Sequence, residues 1–392
     1  MVSAMVVHQH TNNFGDDVAG SALVLGLLEM PQVDRVDVHY IWQRGGGGLP
    51  VTDERVSHTK LNVLAGQRDQ RPMLAILAAL SMLSPRLLWG EIRDMVGAAR
   101  AADIVFVAPA GSNIGIYKDW TYLLSLAILV RAGIRPVFCQ NTIARSNSRA
   151  FDTVARLVLR RSTIHVRETR SLEYIRSLAL PCELGVDTAL RLSAPAADPA
   201  ATSRPHLTVV PTRLGTWHRD HRTFDDDHFL GMVLPHAIAP FAREQCLDVH
   251  VLAHLYGPES EEGALHAVRD GLIAAGCTAD IVYPKDYLQY WQDLADAQVV
   301  VSMRYHGLIL SAAAHTPCVA LSYENKMREA ATYLEMHELL VDVGTVTTVE
   351  IDDLLHRATA PDTTAVASRR TTIERLRDVA SGPLSHVPGR RS

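Results

Sequence analysis

The residues best placed to do chemistry lie late in the chain. Gln298-Val-Val-Val-Ser-Met303 is an apolar run that reads as a strand, and it is followed by Arg304-Tyr-His-Gly307 and a small-residue helical stretch, Leu308–His315. The next strand-like run, Pro317–Tyr323, leads into Glu324-Asn-Lys326. Successive strand ends therefore supply Arg304, His306 and Lys326. Two fixed cations and a titratable imidazole at helix N-termini make a site suited to binding an anion and moving a proton. Lys326 is one of only four lysines, so its position in this group is worth weighing.

A second group follows the first strand. Thr11-Asn-Asn-Phe-Gly-Asp-Asp-Val18 runs into an apolar helix and places Asp16 or Asp17 at its start, where a carboxylate either caps the helix or faces a ligand. Gly15 would permit the tight turn. Ala108-Pro-Ala-Gly-Ser-Asn113 is a small-residue loop without the Gly-Lys-Ser/Thr ending of a P-loop, and Gly45–Gly48 reads as a flexible loop. Arg167, in His165-Val-Arg-Glu168, could present its planar fork to a carboxylate or phosphate, or pair with a neighbouring acid. His8 and His10 straddle a strand end without metal-ligand spacing, and His315 reads as a surface or packing residue. Trp217, His218, Arg219 and His221 form a polar loop that could hold an acceptor or simply be solvated.

These positions need a scaffold of parallel strands, because open parallel sheets bind ligands beyond the carboxyl ends of their strands. Strand-like runs alternate with helical patterns along the chain. The first half suggests strands at Met5–Gln9, Val36–Ile41, Asp103–Ala108, Pro136–Gln140 and Thr163–Arg167. The second suggests His206–Thr212, Asp248–His254, Asp280–Pro284, Gln298–Met303, Pro317–Tyr323 and Leu339–Val343. Helices are expected at Val18–Met30, Phe151–Arg161, Ser171–Leu178, His228–Gln245, Ser260–Ala275 and Tyr287–Ala297. The Ala/Pro/Ser-rich segment 193–205 reads as a linker between Rossmann-like domains at 1–192 and 206–358. Segment 359–392 reads as a last helix and a disordered tail. Two α/β domains with parallel sheets facing a cleft would be GT-B-like, with the acceptor side expected in the first and the donor side in the second.

Composition narrows the classes. In 392 residues, 38 basic against 43 acidic side chains give a formal charge of −5, a poor balance for general nucleic-acid binding. Five scattered cysteines suggest neither a disulfide framework nor a zinc cage. Met73–Trp89 is broken by Pro85 and Arg86, and Tyr122–Val130 is far shorter than the roughly 20 residues needed to span a bilayer. A cytoplasmic protein is expected, with contact at the inner face of the membrane and oligomer formation left open. No cofactor or metal is expected.

Asn13-Phe-Gly-Asp-Asp17, Ala102–Val107, Val166-Arg-Glu-Thr-Arg-Ser171, Ser302–Leu310, Thr316-Pro317 and Tyr323-Glu-Asn-Lys326 together resemble the polysaccharide pyruvyl transferase family, in the family's order, from about Met5 to Val343. The resemblance implies a GT-B-like enzyme that moves the pyruvyl group of phosphoenolpyruvate onto two hydroxyls of a sugar, in a glycan or glycolipid, as a cyclic ketal. It implies His306 as general acid, Arg167 and Arg304 as holders of the donor's carboxylate and phosphate, Lys326 as added charge, and Asp16 as base or orienter. Acceptor contacts would then fall to Asn13, Asp17, Ser112, Asn113, Gln140 and Trp217. Pro109-Ala-Gly111 and Cys139–Arg145 depart from the family's pattern on that acceptor side. A nucleotide-sugar glycosyltransferase of the same fold, or a non-catalytic glycan-binding protein, are the competing readings.

Overall fold

The computed structural model describes residues 2–42, 48–60, 71–195, 204–215, 221–257, 260–360 and 363–389. The chain divides into two compact units. One comprises Met1–Asn12, Asp16–Arg191 and Asp378–Ser392, and the other Asn13–Gly15 and Leu192–Arg377.

The first unit is built on β1 (Val2–His10), β2 (Val33–Trp42), β3 (Val56–Lys60), β4 (Ile104–Val107), β5 (Val137–Asn141), β6 (Thr163–Val166) and β7 (Glu183–Leu184). They form one sheet in the order β3-β2-β1-β4-β5-β6-β7, with every pairing parallel. Such a sheet must be covered on both faces, and β1 shows how the sequence achieves it. Its side chains alternate: Met5 and Val7 enter one apolar cluster, while Ala4 and Val6 enter the other. The period-two alternation is lost at the strand's end, where His8 takes φ 63° and the register with β2 shifts. That bulge re-aims the side chains that follow it.

The sequence reading places the interior strands and misses β3 and β7, which are edge strands with no fully buried side chain and so carry no apolar run. The apolar stretch after Met73 becomes the helix Arg71–Leu83, which buries Leu74 and Leu77 against the helix Trp120–Arg131. No described helix is long and apolar enough to cross a membrane.

The second unit holds β8 (His206–Val210), β9 (Asp248–Leu252), β10 (Ala279–Val282), β11 (Val299–Ser302), β12 (Cys318–Ser322) and β13 (Leu340–Asp342). Its parallel order is β10-β9-β8-β11-β12-β13. The helix expected over His228–Gln245 is interrupted by a π-turn at Phe229–Val233, just ahead of Pro235, which brings no N–H to the helical ladder.

The tail departs from expectation. Gly382–His386 forms a short 3-10 helix, and Leu384 and Val387 are buried in the first unit beside Leu23, Val24 and Leu27. Two apolar side chains in a polar stretch suffice to dock it. Of the expected linker, residues 196–203 lie outside the described set.

Candidate active site

In the second unit two adjacent strands end in the same way. Ser302 closes β11, and its hydroxyl accepts from the Arg304 amide at 3.1 Å and donates to the Arg304 carbonyl at 2.9 Å. Ser322 closes β12 and donates to the Glu324 carbonyl at 3.1 Å. Arg304 and Glu324 are then the N-caps of the helices Tyr305–Ala313 and Asn325–Tyr333, both in extended conformation. His306 and Lys326 occupy the second helical position of each. The glycine after His306 is dictated by this turn, since a Cβ at Gly307 would sit 2.1 Å from the Ser302 hydroxyl.

The three residues singled out in the sequence are therefore placed by neighbouring, equivalent turns. Lys326 Nζ lies 5.5 Å from the centre of the Tyr305 ring and 2.7 Å from the Glu324 carboxylate. Arg304 is ion-paired with Glu261, which also accepts from the Thr212 hydroxyl at 3.0 Å and the Arg213 amide at 3.3 Å. Each cation thus has a carboxylate beside it. Positive groups paired this way hold their geometry before a ligand arrives, and an incoming anion competes with the carboxylates for them.

A further residue, missed in the sequence, stands beside His306. His254 follows β9, and its ring stacks on that of His306 with centroids 6.3 Å apart. Its Nδ1 lies 2.9 Å from the Tyr290 hydroxyl. Burial, with Arg304, His306 and Lys326 close by, holds the His254 pKa well below the ordinary value, so this imidazole is neutral at pH 7. It offers His306 a neutral face.

The segment Asn13–Gly15 belongs to the same unit. Asn13 forms an antiparallel bridge with Leu255, and the Phe14 amide donates to the His254 carbonyl at 3.2 Å. The Phe14 ring packs on Tyr256 and Tyr290, at 4.7 and 5.3 Å between centroids. Gly15 lies directly against His306, where an added Cβ would be 2.0 Å from Nδ1. The sequence reading gave Gly15 a turn; its place is instead a close approach, inside the helix Phe14–Leu28. Asn13 turns inward on its own loop, its Oδ1 accepting from the Gly15 amide at 2.9 Å.

Of the remaining candidates, Asp16, Asp17, Ser112, Asn113 and Gln140 lie in the first unit. Asp16 is half-buried and within electrostatic range of His10, together with Asp119, while Asp17 is buried and acts on Tyr40. The two carboxylates thus diverge. Asn113 meets His10, its Nδ2 2.9 Å from Nε2. Ser112 is buried and accepts from the Ile116 amide, packed against Gly115. Gln140 is fully buried against Gly185, its amide 3.5 Å from the Val379 carbonyl, which gives it a packing place rather than an open one. Trp217 lies outside the described residues, and His221 Nε2 sits 3.0 Å from the Tyr323 carbonyl.

Arg167 is one half of a buried ion pair. Its guanidinium lies 2.6 Å from Asp187, and both side chains are buried. Its Nε donates to the Thr142 hydroxyl at 3.3 Å. Removing one partner of a buried pair strands the other charge, at about 3–5 kcal/mol. Arg167→Ala is accordingly expected to lower the urea-unfolding free energy by about that amount, and a loss under about 1 kcal/mol would contradict the pairing.

His8 makes a second stability prediction. Its Nε2 lies 2.8 Å from the Ser125 hydroxyl, and burial, with His10 and His39 nearby, pushes its pKa down to about 3. Below pH 6.5 the unfolded chain gains a proton here that the folded one refuses. Stability from this group is therefore complete above pH 6.5 and falls as pH drops toward 3, by at most about 1.4 kcal/mol per pH unit. Urea midpoints between pH 7.5 and 5 should fall more steeply for the wild type than for His8→Asn; parallel slopes would refute it.

The family model described as polysaccharide pyruvyl transferase matches residues 13–325. No curated protein matches the chain by sequence. Among solved structures, a putative UDP-N-acetylglucosamine 2-epimerase from Listeria monocytogenes aligns with TM-score 0.62 at 10% identity, over 99% of this chain and 98% of its own. S. aureus MnaA, solved with UDP, aligns with TM-score 0.58 at 12% identity, over 100% and 99%. The Neisseria meningitidis UDP-GlcNAc 2-epimerase, solved with UDP-GlcNAc, aligns with TM-score 0.55 at 10% identity, over 98% and 99%. At such identities the likeness establishes the fold, which is of the GT-B type.

Proposed function

The chain belongs to the polysaccharide pyruvyl transferase family, and we propose that it transfers the pyruvyl group of phosphoenolpyruvate to two hydroxyls of one sugar in a glycan or glycolipid, forming a cyclic ketal and releasing phosphate. The observation that carries this reading is the convergence of Arg304, His306 and Lys326 around His254, whose neutral ring stacks on that of His306.

Phosphoenolpyruvate concentrates up to three negative charges on a small frame, so its site needs convergent cations. Arg304 and Lys326 take its carboxylate and phosphate, in exchange for part of their contact with Glu261 and Glu324. His306 delivers a proton to the methylene carbon, C3, and C2 becomes an oxocarbenium-like centre. The first sugar hydroxyl attacks C2, losing its proton to a base, and a C–O bond forms. The second hydroxyl then attacks C2 as the C–O bond to phosphate breaks. Its proton leaves with the phosphate; the base passes the first hydroxyl's proton to solvent, and His306 takes one back from solvent. No electrons are gained or lost. Asp16, next in the chain after Gly15, is the base we assign to the acceptor hydroxyl. Arg167, committed to Asp187, is left a structural part in this scheme.

Reaction in deuterium oxide tests the reading. Protonation at C3 gives a product methyl carrying one solvent deuterium, whereas transfer without it retains a vinylic methylene. Turnover of a nucleotide sugar, with phosphoenolpyruvate left untouched, would replace this reading by that of a glycosyltransferase or epimerase.

A further inference from the structure

The first unit holds a cluster of imidazoles that the scheme above does not use. His165 lies in β6, and its partner in the ladder with β7 is Glu183. His386 arrives from the other end of the sequence, in the short helix Gly382–His386. Nε2 of His386 lies 2.9 Å from Nε2 of His165, and the Glu183 carboxylate is 3.5 Å from Nδ1 of His165. One ligand atom from each of the three lies within 4.8 Å of the others. His165 is buried and Glu183 is 69% exposed, so the cluster has a dry inner member and an outer one reached from solvent.

The ring geometry favours convergence. The two imidazoles meet at 65°, with one nitrogen of each aimed at the other. Two facing Nε2 atoms can share only one proton, and a cation can take that proton's place. A second His/His/Asp group in the molecule does not offer this. His206 and His250 are stacked at 4.0 Å and 22°, which sets their nitrogens side by side, and Asp293 is already engaged by Thr208 and His250.

We propose that His165, His386 and Glu183 bind a divalent first-row cation of the Zn²⁺ type, which fastens the carboxyl-terminal segment to the sheet edge. Imidazole and carboxylate are ordinary ligands for such an ion. Metal–nitrogen bonds of about 2.0–2.1 Å in a tetrahedron set the nitrogens roughly 3.3 Å apart, so the rings need to separate by only a few tenths of an ångström. The proton between the rings moves to the Nδ1 of His386, and water completes the coordination.

The test is titration of the untagged full chain with Zn²⁺, read by calorimetry and by hydrogen exchange of residues 382–389. The expected result is one ion per chain with Kd of about 1–10 μM, slowing exchange in that segment. His386→Ala and Glu183→Gln should each weaken binding by about 10-fold or more, on the scale of a lost ligand or its support, while His250→Asn leaves it unchanged. Wild-type Zn²⁺ affinity in His386→Ala overturns the proposal, as does loss of the ion in His250→Asn. Absence of binding up to about 100 μM Zn²⁺ likewise reduces the pair to a hydrogen bond.

Discussion

His306→Gln should lower the turnover of phosphoenolpyruvate by about 10²- to 10⁴-fold, the usual scale of a lost general acid, with the fold intact. Glutamine keeps a polar side chain of similar length beside His254 and Gly15, so packing is largely retained. Arg304 and Lys326 stay where Ser302 and Ser322 pin their turns. Donor binding should therefore survive while proton delivery does not, separating kcat from KM. Acceptor-dependent phosphate release, measured beside circular dichroism and thermal melting, decides it. A loss below about 10-fold would remove His306 from the chemistry.

The second large effect is expected from the smallest change. In Gly15→Ala the new methyl would lie 2.0 Å from His306 Nδ1, 2.2 Å from its Cγ and 2.6 Å from its Cβ, all impossible contacts. The segment cannot readily withdraw. Its neighbours are held by the Asn13–Leu255 bridge, the Phe14–His254 hydrogen bond and the packing of Phe14 on Tyr256 and Tyr290. The imidazole is the part that moves, and a misplacement of about 1 Å at a reacting group costs roughly 100-fold. Gly26→Ala is the control. Its Cβ would crowd the Leu384 side chain at 2.7 Å and that of Arg191 at 2.8 Å, so it should destabilise through overpacking by about 1–3 kcal/mol yet keep its activity per folded molecule. Equal activity losses in the two variants would make the Gly15 effect one of stability alone.

Much of this site is legible in the sequence because its signals are local. A strand of β-branched residues ending in Ser-Met-Arg-Tyr-His-Gly fixes where Arg304 and His306 emerge, and the parallel run ending in Glu324-Asn-Lys326 does the same for Lys326. The helix expected from Val18 begins four residues earlier, at Phe14, so Asp16 and Asp17 fall within its first turn. What the sequence hides are partners chosen across long separations. Glu261 meets Arg304 from 43 residues away, and its loop reads as an ordinary acidic helix start. Asp187 claims Arg167 from a stretch without periodicity. His254 ends an expected strand and could have been flagged on that ground alone. The edge strands β3 and β7 escape because exposed edges need no apolar alternation. The docked tail escapes because two side chains, Leu384 and Val387, are too few to make a pattern.

The glycine of Asn-Phe-Gly-Asp shows how meaning changes between the two levels. Conformational freedom is the usual reason for a glycine in a loop before a helix. Here the reason is space for the His306 imidazole, and the requirement links residues 291 positions apart.

On the proposed function, phosphoenolpyruvate donates its pyruvyl group to a sugar. Incubation with [2-¹³C]phosphoenolpyruvate and a lipid-linked or polymeric glycan acceptor, followed by ¹³C NMR, tests it most directly. The label should appear as a quaternary ketal carbon on the sugar, one per phosphate released, and only when an acceptor is present. Phosphate release with the label recovered as free pyruvate, or label that stays in phosphoenolpyruvate with every acceptor offered, would contradict it.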